Sequence, residues 1–215
     1  MKIGVFDSGI GGLSVCNAIK KALPDQTIIF KNDSENVPYG NKTKETILKL
    51  IKPIFDDFIK ENCQIIVIAC NTVSTTLINQ LRTYYDVPLL PVEPMLQEAV
   101  ELTKHRVVTV CATPTTLKSS RYLWLKEIYA NKTKVIEPDC SDWSFMIEKN
   151  QIDHQQIRQI INDSLDQKSD VIVLGCTHYH WIEEQIKQIA KNRAIVIQPE
   201  NKIIADLKLM IKQLA

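Results

Sequence analysis

The sequence predicts an α/β fold of two pseudo-symmetric lobes, each a mainly parallel sheet flanked by helices, with a ligand site between the lobes. Three observations carry this expectation. Short runs rich in Val and Ile alternate with segments of helical period throughout the sequence, the mark of strand–helix alternation. The runs are continuously apolar rather than alternating, as in strands buried on both faces of a parallel sheet. The two halves also repeat one pattern. IIVIACNT at 65–72 and VIVLGCTH at 171–178 each give an apolar strand, a small residue, a cysteine and a polar pair containing threonine, as duplicated lobes would.

Taken in order, strands are expected at 3–6, 27–30, 65–69, 87–90, 107–111, 171–174 and 194–197, each short and β-branched. Helices are expected between them. Over 43–60, Ile47, Ile51, Ile54, Phe55 and Phe58 recur at offsets of 0, 4, 7, 8 and 11, an apolar stripe that packs on a sheet. Segments 155–166 and 181–192 show the same period. Pro88, Pro91 and Pro94 punctuate the middle, setting the first lobe at 1–91 plus 195–215 and the second at 92–194. Spacing supports the duplication: Asp7 and Cys70 stand 63 positions apart, as do Thr113 and Cys176.

Composition narrows the function. Hydrophobic residues make up 45% and charged residues 24%, enough to bury a core. The 215 residues suit two compact lobes of ~100 residues each. Twenty-six Lys and Arg against 25 Asp and Glu leave a net charge of +1, which argues against gripping nucleic acid or an anionic membrane. No apolar run reaches the ~18–20 residues of a spanning helix. The opening MKIGVFDSG has neither the apolar stretch nor the cleavage site of a signal peptide, so a soluble, cytoplasmic protein is expected. The six cysteines, at 16, 63, 70, 111, 140 and 176, form no CxxC pair; neither a zinc site nor disulfides are expected. Gly9-Ile10-Gly11-Gly12 fits neither the dinucleotide fingerprint nor a Walker loop, so no nucleotide cofactor is expected.

Ligands of open α/β sheets bind at the carboxyl ends of strands. Four such ends carry polar groups: Asp7-Ser8, Cys70-Asn71-Thr72, Thr113 with Thr116, and Cys176-Thr177-His178. A lone cysteine at a strand end is usually packing. Two at equivalent positions, each with threonine nearby, point instead to chemistry on one ligand held between facing lobes. The chemistry that wants two opposed thiols is removal of a proton from one face of a carbon and delivery to the other. A cysteine thiol titrates near ~8.5, so it can do both near neutral pH. His178 is placed to serve Cys176 and Asp7 to assist Cys70, while Ser and Thr hydroxyls and helix-start N–H groups hold carboxylates.

The stretches IGVFDSGIGGLSV, DSENVPYG, ACNT, ATPTTLKS and LGCTHY together resemble the glutamate racemase family, within the wider aspartate/glutamate racemase group, in order over nearly the whole chain. The resemblance implies a cofactor-independent enzyme that interconverts L- and D-glutamate, supplies D-glutamate for peptidoglycan and forms a homodimer. By position, Cys70 and Cys176 match the two catalytic bases, the first acting on D-glutamate and the second on L-glutamate. Asp7 and His178 match the groups that assist proton transfer. Glu148 matches a further assisting carboxylate through its spacing of eight from Cys140. Ser8, Pro38, Tyr39, Gly40, Asn71, Thr72, Thr113, Thr116 and Thr177 match substrate-contacting positions, alongside Asp7, Cys70, Cys176 and His178.

Some positions depart from the family pattern. The chain is shorter, the CPxFVPLVE pattern around Cys140 and Glu148 is largely lost, and PVEPM at 91–95 lacks a Gly-Val insertion. His180 stands where proline usually follows GCTHY. Lys31, Asn32 and Gln198-Pro199 are also unusual. Two alternatives therefore stand beside glutamate racemisation: a racemase for aspartate or another acidic amino acid, and a non-catalytic descendant that binds an amino acid or regulates a partner. Cys16, Cys63 and Cys111 read as packing, His105 and His154 as solvated. Trp124 and Trp143 read as core or interface aromatics. Lys42-Thr43-Lys44 and Lys104-His105-Arg106 read as exposed faces, and His180 either lines the pocket mouth or caps a turn.

Overall fold

A computed structural model describes residues 1–214. Two four-stranded, wholly parallel sheets form the two lobes. The first contains β1 (Lys2–Asp7), β2 (Thr27–Asn32), β3 (Ile65–Ile68) and β4 (Leu89–Pro91), in the order β2-β1-β3-β4. The second contains β5 (Val107–Ala112), β6 (Lys134–Ile136), β7 (Val171–Gly175) and β8 (Ile195–Ile197), in the order β6-β5-β7-β8. The orders are the same when the strands are numbered within each lobe, so the repeat seen in sequence is a repeat of topology. The 63-residue spacing joins equivalent points: Asp7 closes β1 as Thr113 follows β5, and Cys70 follows β3 as Cys176 follows β7.

Both faces of each sheet are covered, which is why the central strands are apolar without alternation. On one face of the first sheet, α2 (Lys44–Lys60) and α3 (Asn71–Tyr84) pack Ile51, Phe55, Phe58 and Leu77 against Phe6 and Ile68. The Phe55 ring lies 5.3 Å from that of Phe6 and 5.6 Å from that of Tyr85; burying a side chain of this size stabilises the fold by about 1.5–3 kcal/mol. On the other face, α1 (Gly12–Ala22) and α10 (Glu200–Leu214) bury Val15, Ile19, Ile203 and Leu207 against Ile3, Val5 and Val67. In the second lobe, α4 (Leu96–Leu102) and α6 (Ser120–Tyr129) cover one face. The other is covered by α7 (Trp143–Glu148), α8 (His154–Asp166) and α9 (Glu183–Ala190). The short α5 (Pro114–Lys118) follows β5.

Local chemistry sets the element ends. Thr43 caps α2 by accepting from the Thr46 N–H, and Asp153 caps α8 by accepting from the N–H groups of Gln155 and Gln156. The helix expected over 181–192 is shorter. A 3-10 turn, Thr177–Ile182, precedes α9, and Lys191 at φ 49° stops it. The strand expected at 87–90 begins only at Leu89, because Pro88 lacks an N–H and contributes its carbonyl alone, to the Ile66 N–H. β6 was not expected: its three residues, Lys134, Val135 and Ile136, are too few to show a pattern.

One lobe boundary moves. Residues 195–197, grouped with the first lobe by sequence, pair with β7 and belong to the second sheet. The chain returns after them, and α10 packs on the first lobe. Cys16, Cys63 and Cys111 are buried, and His105 and His154 are exposed. Trp143 is buried against Tyr179, their rings 5.2 Å apart, whereas Trp124 is 43% exposed. Among the described residues, no helix is long and apolar enough to cross a membrane.

Candidate active site

The central strands of each sheet are hydrogen-bonded neighbours in parallel register, Phe6 beside Ile68 and Ala112 beside Gly175. Their carboxyl ends therefore deliver Asp7 next to Cys70, and Thr113 next to Cys176. The two lobes bring these ends together. Thr177 Oγ1 donates across the seam to Asp7 Oδ2 at 2.8 Å, and the Ile10 N–H donates to Glu148 Oε2 at 3.1 Å. Thr72 Oγ1 lies 3.0 Å from Thr113 Oγ1 and 3.4 Å from Thr116 Oγ1, and Thr113 donates to Thr116 at 3.0 Å.

Ser8, Pro38, Tyr39, Gly40, Cys70, Asn71, Thr72, Thr113, Cys176, Thr177 and His178 border one cavity between the lobes. Asp7, Thr116 and Glu148 do not; each stands behind a lining residue and is hydrogen-bonded to it. The free space is only about 10 Å³, room for about one water molecule. The lobes are thus closed on each other. Asn71 is 3% exposed, and both its amide nitrogen and its oxygen are buried without a partner. An unpaired buried polar atom costs about 1–3 kcal/mol, so this amide stands with an unmet capacity both to donate and to accept. Among the described residues, no group of three or more His, Cys, Asp or Glu side chains is arranged to hold a metal ion.

The charged groups around the thiols form a linked set. Cys70 Sγ donates to Ser8 Oγ at 3.5 Å. Burial, and then the carboxylate of Asp7, push the Cys70 thiol up to about 12. Asp7 is itself pushed above the usual carboxylate range by burial, against the pull of His178 and of the Gly9 N–H, which donates to Oδ1 at 2.9 Å. His178 Nδ1 lies 3.9 Å from Cys176 Sγ, and Nε2 lies 2.7 Å from Glu148 Oε2. Burial works against a charged imidazole. The hydrogen bonds with Cys176 and Glu148 overcome it and raise His178 to about 10. Glu148 is also opposed by burial, but His178 and the Ile10 N–H hold its carboxyl below the usual range.

A pH dependence follows. His178 keeps its proton in the fold up to about 10, against an ordinary 6.5. The charged imidazole, held first by Cys176 and then by Glu148, therefore contributes its full stability at and just below 6.5, and that contribution is lost as pH rises through about 10. Unfolding free energies in urea should fall across this window in the wild type, and His178→Gln should remove that part of the fall. Parallel curves for the two proteins would show that His178 is not held charged.

One lining residue escaped the sequence reading. Ser144 is buried at the cavity, four residues before Glu148 and so on the same face of α7. The Cys140–Glu148 spacing was the only signal leading there. Trp143 and Tyr179, whose hydroxyl donates to the Cys140 carbonyl at 2.8 Å, fix α7 against the 3-10 turn. His180 does not line the cavity; it is buried at the lobe seam.

Comparison with known proteins agrees with this geometry. The family described as Asp/Glu/Hydantoin racemase matches residues 3–199. A curated glutamate racemase of Clostridium botulinum (strain 657 / Type Ba4) is 36% identical over 215 residues, covering 98% of this chain and 83% of that protein. The crystal structure of Escherichia coli glutamate racemase, in complex with L-glutamate and the activator UDP-MurNAc-ala, superposes with a TM-score of 0.89 at 28% identity, covering 98% of this chain and 82% of that one. That of Francisella tularensis glutamate racemase, in complex with D-glutamate, gives 0.81 at 29% identity, covering 99% and 81%. The same two-lobed fold therefore accompanies matching sequence over nearly the whole chain, and the chain belongs to the Asp/Glu/Hydantoin racemase family.

Proposed function

We propose that this chain interconverts L- and D-glutamate by passing protons through Cys70 and Cys176, without a cofactor, and so supplies D-glutamate for peptidoglycan. The observation that carries the reading is that two thiols, one from each lobe, border a single cavity. Relatives solved with L-glutamate and with D-glutamate support the substrate. The ammonium and α-carboxylate of an amino acid would satisfy Asn71 and the hydroxyls of Ser8, Thr72 and Thr177, leaving the α-carbon between the sulfurs.

In one direction a thiolate takes the α-proton. The S–H bond forms as Cα–H breaks, and the electron pair spreads into the α-carboxylate. The opposite thiol then gives its proton to the other face of that carbon, forming the new Cα–H bond and leaving a thiolate. Cys70, held up to about 12, carries its proton at neutral pH and is the donor in the resting enzyme. The His178 imidazolium beside Cys176 offsets the negative charge that this sulfur carries during transfer. Return of the two thiols to their starting states completes the cycle. The closed cavity is too small for glutamate, so the lobes part to admit it and close to exclude water.

The deciding experiment incubates reduced protein with L-glutamate, and separately L-aspartate, in D₂O. Loss of the α-proton signal is followed by NMR together with optical rotation. Deuterium entry with racemisation of glutamate is expected. Faster reaction of aspartate would reassign the substrate. No exchange of either by folded protein would overturn the reading in favour of a non-catalytic amino-acid-binding descendant.

A further inference from the structure

His180 sits on the same 3-10 turn as Thr177 and His178, two residues beyond the cavity. It is buried at the seam between the lobes. Its Nδ1 lies 2.9 Å from Ser14 Oγ on α1 of the other lobe and 3.5 Å from Glu200 Oε1 at the start of α10. Its Nε2 is buried without a partner. With the Ser14 hydroxyl donating to the Gly11 carbonyl at 3.2 Å, the assignment consistent with that bond puts the hydrogen on His180 Nδ1, which then donates to Ser14 Oγ. Gly11 lies tight against the turn, since a Cβ there would stand 2.5 Å from the His178 backbone nitrogen. The run from His180 through Ser14 to Gly11 thus grips the turn at residues 178 and 180 alike. Where the resembling family carries proline, this chain has a side chain that can donate.

We propose that His180 is a positioning residue: its bond to Ser14, braced by Glu200, clamps the Thr177–Ile182 turn onto α1 and sets where Cys176 and His178 stand when the lobes close. The proposal rests on the racemase reading for its catalytic consequence.

The test compares His180→Ala, His180→Asn and Ser14→Ala. Rates are measured in both directions, and primary isotope effects with each enantiomer of 2-deuterated glutamate. His180→Ala should lower kcat about tenfold with KM changed less than about twofold, since small misplacements of reacting groups act on the chemical step. The isotope effect should rise for one enantiomer and not the other, because only the Cys176 step is disturbed. Asparagine, which keeps a short polar group near Ser14, should recover most of the loss. Ser14→Ala should match His180→Ala, and the double variant should be no worse than either. The proposal is overturned if kcat is unchanged, if it falls only in step with the folded fraction, or if Asn does no better than Ala. Equal isotope effects for the two enantiomers would overturn it as well. A wild-type protein with no glutamate turnover would instead sink the racemase reading. The clamp itself then stands or falls on amide hydrogen exchange of residues 177–182, which His180→Ala must accelerate.

Discussion

Replacing either Cys70 or Cys176 with alanine is expected to slow glutamate racemisation by about 10³-fold or more, the scale of a positioned acid or base. Each substitution removes one sulfur from a packed cavity wall, so the protein should stay folded and still bind glutamate. The informative readout is what survives. With one thiol left, deuterium from D₂O can enter one enantiomer by removal and return on the same face, while inversion cannot occur. The two variants should therefore exchange opposite enantiomers. Near-wild-type racemisation by either variant would rule out transfer between two sulfurs. Loss of all exchange in both would mean that the thiols act only as a pair.

The second large effect is expected from Gly11→Ala. Gly11, the N-cap of α1, has φ −52° and ψ −40°, a conformation alanine adopts readily, so its own backbone does not forbid the change. The lobe opposite makes it harmful. The added methyl carbon would stand 2.5 Å from the His178 backbone nitrogen and 2.7 Å from Thr177 Oγ1. The first of these belongs to the main chain and cannot rotate aside. Overpacking of this kind costs about 1–3 kcal/mol, and displacement of the turn should lower turnover by about 10²-fold. Thermal melting and steady-state kinetics check both numbers. An active and fully stable Gly11→Ala protein would mean that the working enzyme never closes as tightly as this structure.

Much of this architecture was legible in the sequence because the central strands are buried on both faces and leave unbroken Val and Ile runs. The duplicated strand–Cys–Thr pattern located the equivalent ends of the two sheets. What escaped lacks a one-dimensional signal. β6 is three residues long. β8 is equally short and is followed at once by a helix that packs on the other lobe, so its sheet was assigned from its neighbour. Ser144 reaches the cavity only through the seating of α7, whose surrounding pattern has drifted. His180 followed a motif by one residue, and its partners Ser14 and Glu200 lie 166 positions before it and 20 after. No local period reports a contact of that kind.

The return of α10 to the first lobe has a consequence for biosynthesis. The strands of the first sheet are contiguous and can pair once residue 91 has been made. Yet the face formed by Ile3, Val5, Val15, Ile19 and Val67 is closed by Ile203 and Leu207, which the ribosome adds only after the entire second lobe. At about 5–20 residues per second, the interval is several seconds to tens of seconds. Throughout it only α1 lies over this face of the nascent first lobe, and the part that α10 covers stays bare. The topology makes the early lobe depend on a late helix, so chaperone demand should be greatest during synthesis and should end when α10 docks.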